Sequence, residues 1–343
     1  MTEIKKFSGF RLVWLLALIV ATVYILSHKH TQPAYNSIDG RIFGTLYNIT
    51  YQHDDDLKPD IEQELGRVDA SLSPFNKKSI ITKVNNNEAV QTDAFFQAVF
   101  RRSMEISAET DGAFDITVAP LVNAWNFGFK KETRLPTKET IDSLLQFTGY
   151  SKITMRNDSV IKQDPRVMIT CSAVAKGYAC DVIGWLLDGK GIQNYMINIG
   201  GEIVVKGKNA KKEPWHIGIN KPVNDSLSIK QEIQNILQVV DISIATSGNY
   251  RNYYYKNGKK YAHTIDPHTG YPVAHNLLSA TVLAPDCMTA DALATAFMVM
   301  GFDKAKVFAN AHPDIVAYFI YSDEQGECKD WYTKNMERYL TSY

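Results

Sequence analysis

His263-Thr-Ile-Asp-Pro-His-Thr-Gly-Tyr-Pro272 is too polar for a core strand and too rich in turn formers for a helix. Asp266-Pro267 starts a turn, and Gly270 supplies a positive φ that other residues resist. His263, Asp266, His268 and Thr269 crowd into seven positions. The stretch reads as a rigid loop presenting titratable and hydroxyl groups from a scaffold. A surface turn with incidental histidines is the plainer reading, and the flanking sequence has to decide between them.

Downstream, Pro285 to Gly301 predicts a helix with a start and a stop. Asp286 or Thr289 caps it, its interior is rich in Ala, Leu and Met, and Gly301 ends it. Asp291 and Thr295 stand four apart and share one face, among Ala and Leu. A carboxylate one turn before a hydroxyl on a small-residue face looks like half of a hard-cation site suited to Mg2+. The bland alternative is an Asp favouring the helix dipole and a Thr bonded back to its own helix.

The chain of 343 residues is 45% apolar and 11% aromatic, with zero formal net charge. That supports a packed core and excludes a disordered chain. No basic run marks the body, so nucleic acid is not an expected partner. Lys5, Lys6 and Arg11 precede an apolar stretch, Leu12 to Leu26, broken only by Thr22. Residues 1–30 are expected to be a signal or membrane anchor, and 31–40 a linker. The domain 41–343 is then expected on the periplasmic, extracytoplasmic side of the inner (cytoplasmic) membrane. Cys171, Cys180, Cys287 and Cys328 form no C-x-x-C pair, which argues against zinc or thioredoxin-like chemistry.

Arg41 to Tyr51 predicts a first strand interrupted at Gly44-Thr45, and Leu57 to Leu72 a helix with Pro59 in its first turn. Ser71 to Asn87 reads as a loop carrying an exposed Phe75. Thr92 is expected to cap a second helix. After the Asp111-Gly112 turn, Asp115 and Thr117 alternate with apolar residues and predict an extended segment. Trp125, Asn126 and Phe127 form an aromatic-rich stretch that reads either as a cover for a planar ligand or as a hydrophobic turn packed on the core. Ile169 to Tyr178 predicts a strand, a small-residue turn and a helix, aiming N–H groups at an anion beside Lys176. Asn198-Ile-Gly-Gly201 permits backbone to approach a ligand closely. Leu237 to Ala245 reads as one strand, followed by a polar turn at Thr246-Ser247-Gly248-Asn249. A hairpin is expected around Asn257-Gly258. Polar turns from distant parts of a chain usually converge on one cleft. Carboxylate, hydroxyl, Lys and His together suggest metal-assisted chemistry on a phosphorylated compound.

Six segments carry a closer likeness: Asp-Gly-Ala-Phe-Asp-Ile-Thr (111–117), Ser-Ala-Val-Ala-Lys-Gly-Tyr (172–178), Asn-Ile-Gly-Gly (198–201), Thr-Ser-Gly (246–248), the His263 loop and Ala-Asp-Ala-Leu-Ala-Thr (290–295). In order and spacing they resemble the FAD:protein FMN transferases, the ApbE family, over about residues 41–320. The resemblance implies an α/β (α+β) fold of mixed sheets with outer helices, in a two-lobed single catalytic unit of the ApbE/T-fold-like type. It implies an enzyme that binds FAD as substrate with Mg2+ and transfers FMN to a Thr or Ser of a target protein, releasing AMP. The expected acceptor is an electron-transfer protein, a membrane redox-complex subunit.

By the same resemblance Asp291, Thr295 and the Ala173 carbonyl are metal ligands. His263 is the catalytic base or lies against the flavin phosphate, and Lys176 contacts FAD. Ala113, Phe114, Asp115, Asn198, Gly200, Gly201, Ser247 and Gly248 line the nucleotide pocket. Phe43 stands in the Met position of a Met-Gly-Thr motif, Phe75 where the family often has Tyr, and Thr170 where it commonly has Asp. Three other readings stay open: an FAD pyrophosphatase giving FMN and AMP, an FAD-binding protein without turnover, and a structural cell-envelope protein.

Overall fold

The computed structural model describes residues 13–20, 22, 33–130, 132, 134–222, 232–249, 253–256 and 258–341. Residues 13–20 are helical, but the apolar stretch Leu12–Leu26 lies partly outside the described residues. Among those described, no helix is long and apolar enough to cross a membrane. Residues 223–231, a charged stretch of the sequence, and Asn257 of the expected hairpin also lie outside them.

Residues 35–343 form one compact unit. It opens with β1 (Tyr35–Ile42) and β2 (Thr45–Gln52), then α1 (Lys58–Leu72), α2 (Ile80–Asn85), α3 (Ala94–Glu109), α4 (Ala119–Ala124) and α5 (Lys138–Leu145). A small hairpin, β3 (Ile153–Arg156) and β4 (Ser159–Lys162), precedes α6 (Ala175–Gly189). Next come β5 (Tyr195–Ile199), β6 (Glu202–Lys206), β7 (Trp215–Asn220), β8 (Ile233–Val239) and β9 (Ile242–Gly248). A second hairpin, β10 (Tyr253–Lys256) and β11 (Lys259–Ala262), leads to β12 (Leu277–Ala284). The chain continues through α7 (Cys287–Met300), α8 (Phe302–Ala311), β13 (Val316–Ser322) and β14 (Cys328–Tyr332).

The α+β class expected from the sequence is the one observed. Eight strands form one sheet in the order β1-β2-β5-β6-β9-β12-β13-β14, antiparallel at each pairing. Side chains alternate between faces along a strand. In β13, Ala317 and Phe319 enter one core, and Val316, Tyr318 and Ile320 enter another. The first core takes the helices, with Ile61, Leu65, Val68 and Leu72 of α1 spaced on one stripe. The second is closed by the β7–β8 hairpin through Trp215, Ile217, Leu237 and Val239. With both faces covered, β13 reads as a near-continuous apolar run rather than a clean alternation.

Several boundaries differ from expectation. Residues 35–40, read as linker, are strand, because Asn36 to Gly40 pair with Asn48–Tyr51 and Tyr47 of β2. The interruption at Gly44 is a two-residue hairpin turn in which Phe43 (φ 51°) and Gly44 (φ 74°) are both left-handed. Residues 80–85, read as loop, are helix α2, started by the Ser79 hydroxyl accepting from Thr82 N. The cap of α3 is Asp93, because the Thr92 hydroxyl donates to the Asp158 carbonyl instead. The single strand expected over 237–245 is broken at Asp241 (φ 51°), so β8 pairs with β7 while β9 joins the large sheet.

Antiparallel register sets where the loops gather. Tyr47 of β2 faces Ile199 of β5, Ile199 faces Glu202 of β6, and Ile203 faces Ile244 of β9. One end of the sheet therefore collects the Phe43-Gly44 turn, the Gly200-Gly201 turn and the Ser247-Gly248 end of β9.

Helix α7 packs against β12, β9 and α6, and ten of its fourteen residues are buried. Its N-terminal N–H groups are satisfied by two carboxylates. Asp286 accepts from Thr289 N at 2.8 Å, and Asp181 of α6 accepts from Cys287 N at 2.8 Å and Met288 N at 2.9 Å. Gly177 of α6 lies against the start of α7: a Cβ there would stand 2.3 Å from the Cys287 carbonyl oxygen and 2.9 Å from Asp291 Cβ. Gly177→Ala must separate two helices at a backbone contact. It is expected to cost about 1–3 kcal/mol in urea unfolding, the usual cost of overpacking, and a midpoint equal to the parent's would refute that packing.

Candidate active site

One cavity of about 610 Å3 opens at the loop-rich end of the sheet. Its lining includes every residue expected there from sequence: Phe43, Phe75, Ala113, Phe114, Asp115, Thr170, Ala173, Lys176, Asn198, Gly200, Gly201, Ser247, Gly248, His263, Asp291 and Thr295. The volume lies in the range that houses small-molecule cofactors and substrates.

Asp291 is the only charged residue in α7 and is 4% exposed. Its Oδ2 accepts the Gly177 N–H at 3.1 Å and lies 3.9 Å from Lys176 Nζ. Thr295, one turn further on, has its hydroxyl 3.5 Å from that of Ser247. Asp291, Thr295 and Ala173 line the same cavity. A carboxylate, a hydroxyl and a peptide carbonyl would make an all-oxygen donor set, the chemistry of a hard cation and not of a soft metal. The residues fit Mg2+.

Lys176, in the first turn of α6, donates to Glu202 Oε1. Burial by itself would lower the pKa of this ammonium, but Asp291 and Glu202 outweigh it and hold the pKa above its ordinary value. Burial also pushes the Glu202 carboxyl up to about 7, against the pull of Lys176. Glu202 is a cavity residue that the sequence reading passed over. It directly follows the paired glycines, but a Glu opening a strand carries no local sign of burial.

The glycine turn before Glu202 has a steric cause. Gly200 sits at φ 68°, and a Cβ there would meet Thr45 Cγ2 at 2.9 Å and Lys176 Cδ at 3.4 Å. Asn198 Oδ1 accepts from Gly201 N at 3.0 Å and closes the turn.

The Asp115 segment is not extended. Asp115 starts a short 3-10 helix, Ile116–Val118, that runs into α4. Its Oδ1 accepts from Thr117 N at 2.7 Å and Thr117 Oγ1 at 2.6 Å, and its Oδ2 from Tyr150 N at 2.7 Å. Burial raises the Asp115 pKa, and those hydrogen bonds oppose it. With both oxygens engaged, the side chain builds the cavity wall. Asp115→Asn keeps the size but presents one acceptor oxygen to three donors. The expected loss is about 1–3 kcal/mol, the cost of stranding a buried donor, read as a lower melting temperature. An unchanged temperature would remove Asp115 from that role. Thr170 is likewise engaged locally, its hydroxyl donating to Ser172 Oγ at 2.9 Å and accepting from Ser172 N at 3.3 Å.

The opening loop divides by role. Asp266 accepts from His268 N at 2.9 Å and Thr269 Oγ1 at 3.0 Å, and its backbone carbonyl accepts from Gly270 N at 2.8 Å. His268 Nε2 reaches the Asp111 carbonyl at 2.8 Å, tying this loop to the Asp111-Gly112 turn. These three side chains hold the loop's shape. His263 faces the cavity, with its ring edge-on to Phe127 at 6.4 Å. Behind Phe127, Tyr254, Tyr261 and Trp125 stack in series at 5.1–5.4 Å. Of the aromatic stretch 125–127, Phe127 lines the cavity, whereas Trp125 is buried in a satellite core with Leu121, Ile141 and Ile265. Phe75 stands at the cavity 68% exposed, edge-on to Phe129 at 6.3 Å.

Comparison with known proteins agrees with this geometry. The sequence pattern of the ApbE family matches residues 43–320. An FAD:protein FMN transferase of Haemophilus influenzae is 35% identical over 90% of this chain and 92% of its own length. One of Escherichia coli K12 is 32% identical over 95% of this chain and 97% of its own. The flavin transferase ApbE from Vibrio cholerae superposes with a TM-score of 0.81 at 34% identity, covering 90% of this chain and 99% of that one. The apo flavinyl transferase ApbE of Pseudomonas stutzeri gives 0.80 at 29% identity, covering 90% and 98%. With the motifs, the fold and the cavity all in agreement, this chain belongs to the ApbE family.

Proposed function

We propose that this chain is an FAD:protein FMN transferase that requires Mg2+, joins FMN to a Thr or Ser hydroxyl of an acceptor protein and releases AMP. The observation that carries the proposal is the meeting of His263, Lys176, Asp291 and Thr295 in the lining of one cavity. A base, a fixed positive charge and a hard-cation donor set are the groups a hydroxyl needs to displace AMP from a pyrophosphate. The names borne by the Haemophilus and Escherichia relatives support the same reading.

In this mechanism the acceptor hydroxyl attacks the phosphorus on the flavin side. A new P–O bond forms, the P–O–P bridge breaks on that phosphorus, and the bridging oxygen leaves with AMP. His263 takes the hydroxyl proton, a task suited to an imidazole near neutral pH. Phe127 packs edge-on against its ring and limits the orientations open to it. Lys176 sets a positive charge beside the pyrophosphate. Asp291, Thr295 and the Ala173 carbonyl would hold Mg2+, which when bound supplies neutralisation of phosphate charge. The glycine turn at Gly200-Gly201 lets backbone approach the nucleotide.

The test is mass spectrometry of a Thr-bearing acceptor peptide incubated with the protein, FAD and Mg2+. A Mg2+-dependent mass gain equal to FMN is expected. Free FMN and AMP without an adduct would favour the pyrophosphatase reading, and intact FAD would favour binding without turnover.

A further inference from the structure

Glu202 has no part in the mechanism above, yet its surroundings are unusual. The side chain lines the cavity and is 4% exposed. One oxygen, Oε1, takes the Lys176 ammonium. The other, Oε2, is buried and has no hydrogen-bond partner among the described residues. The same ammonium lies 3.9 Å from Asp291 Oδ2, beyond a direct hydrogen bond. One cation thus stands between two buried carboxylates and contacts only one of them. With both carboxylates ionised the cluster carries one more negative charge than positive, and a buried carboxylate oxygen without a donor is costly. Such an arrangement is tolerated where a further cation compensates it.

We infer that Glu202 is a positioning residue: it draws the Lys176 ammonium away from Asp291, so that the Asp291 carboxylate stays open to a divalent cation. The inference rests on the metal-dependent reading given above. Two geometric facts support it. Lys176 Nζ is in hydrogen-bond contact with Glu202 and not with Asp291. Gly177 N, the next residue's amide, already holds Asp291 Oδ2, so Asp291 keeps its place without the lysine. If Glu202 lost its charge, Asp291 would be the remaining carboxylate beside the ammonium. Lys176 would settle there as a resident cation and compete with the metal. Glu202 would thus act on the metal through Lys176, at one remove.

The test is a titration of the FAD-free protein with Mn2+, followed by electron paramagnetic resonance, on the parent, E202Q, K176M and the double variant. Glutamine keeps the size and an acceptor oxygen but drops the charge. E202Q is expected to bind Mn2+ about tenfold more weakly, the scale on which residues behind metal ligands act. K176M is expected to bind more tightly than the parent. The double variant is expected to recover most of the affinity lost in E202Q, because no ammonium remains to compete, which is a coupling the cycle isolates.

Unchanged affinity in E202Q would overturn the inference. So would a double variant as weak as E202Q, which would mean that Glu202 attracts the cation directly. If E202Q fails to fold, K176M alone still decides, since no tightening there would remove the competition. FMN transfer is scored separately on the same proteins. A chain that binds Mn2+ in this pattern but transfers nothing would sink the transferase reading and leave this one standing. A parent protein that binds no Mn2+ would overturn both.

Discussion

Asp291→Ala should lower Mg2+-dependent FMN transfer by roughly 10^3-fold, a few kcal/mol of transition-state stabilisation. Asp291 is the only carboxylate of the donor set proposed for Mg2+, and neither the Thr295 hydroxyl nor the Ala173 carbonyl can supply its charge. The fold should persist. Alanine is the best helix former, and the change removes a buried charge from an otherwise uncharged helix. The counter-effect is local: Gly177 N loses its acceptor, and Lys176 is left to Glu202 alone. Stability should therefore move by no more than about 1–3 kcal/mol. Adduct formation by mass spectrometry, with circular dichroism to check the fold, tests both parts. Transfer within about tenfold of the parent would place the metal elsewhere.

His263→Ala should leave FAD binding nearly intact and reduce transfer by about 10^2 to 10^4-fold, the range for loss of a general base. The separation follows from the geometry. Lys176, Asp291 and the glycine turn lie on elements other than the His263 loop, so the nucleotide keeps its contacts when the imidazole is gone. Residual transfer should rise with pH, because solvent hydroxide must then remove the acceptor proton. Flavin fluorescence quenching reports binding, and adduct yield reports chemistry. If binding and transfer fall together by similar factors, His263 is a phosphate contact, the other role considered for it.

Much of the site was readable from sequence because its parts are local. The caps and stops of α7 are short-range features, and Asp286 and Gly301 act as expected. Asp291 and Thr295 share a helix face by spacing alone. The Gly200-Gly201 turn and the β10–β11 hairpin follow from backbone preferences of a few residues. Local sequence pattern misleads where one residue answers to a distant one. Asp115 was expected to be extended, but its carboxylate collects donors from Thr117 and from Tyr150, 35 positions away. Residues 35–40 read as linker because a strand with one polar face has little pattern of its own, and β2 supplies the pairing.

Sequence alone therefore determined which chemical groups this chain carries, in what order, and the turns and caps that present them. Periodicity and turn chemistry act over a few residues and need no knowledge of packing. Tertiary structure decided which of those groups reach the cavity and which hold the scaffold. Asp266 and His268 look as reactive in sequence as His263, but Asp266 is spent within its own loop and His268 on the Asp111 carbonyl. Glu202 looks like an ordinary strand residue, but packing leaves it buried with one oxygen on Lys176 and the other without a donor among the described residues. The physical reason is the same in each case. A polar group's role depends on which donors, acceptors and charges remain for it after folding, and those partners come from segments that only the packed sheet and helices bring together.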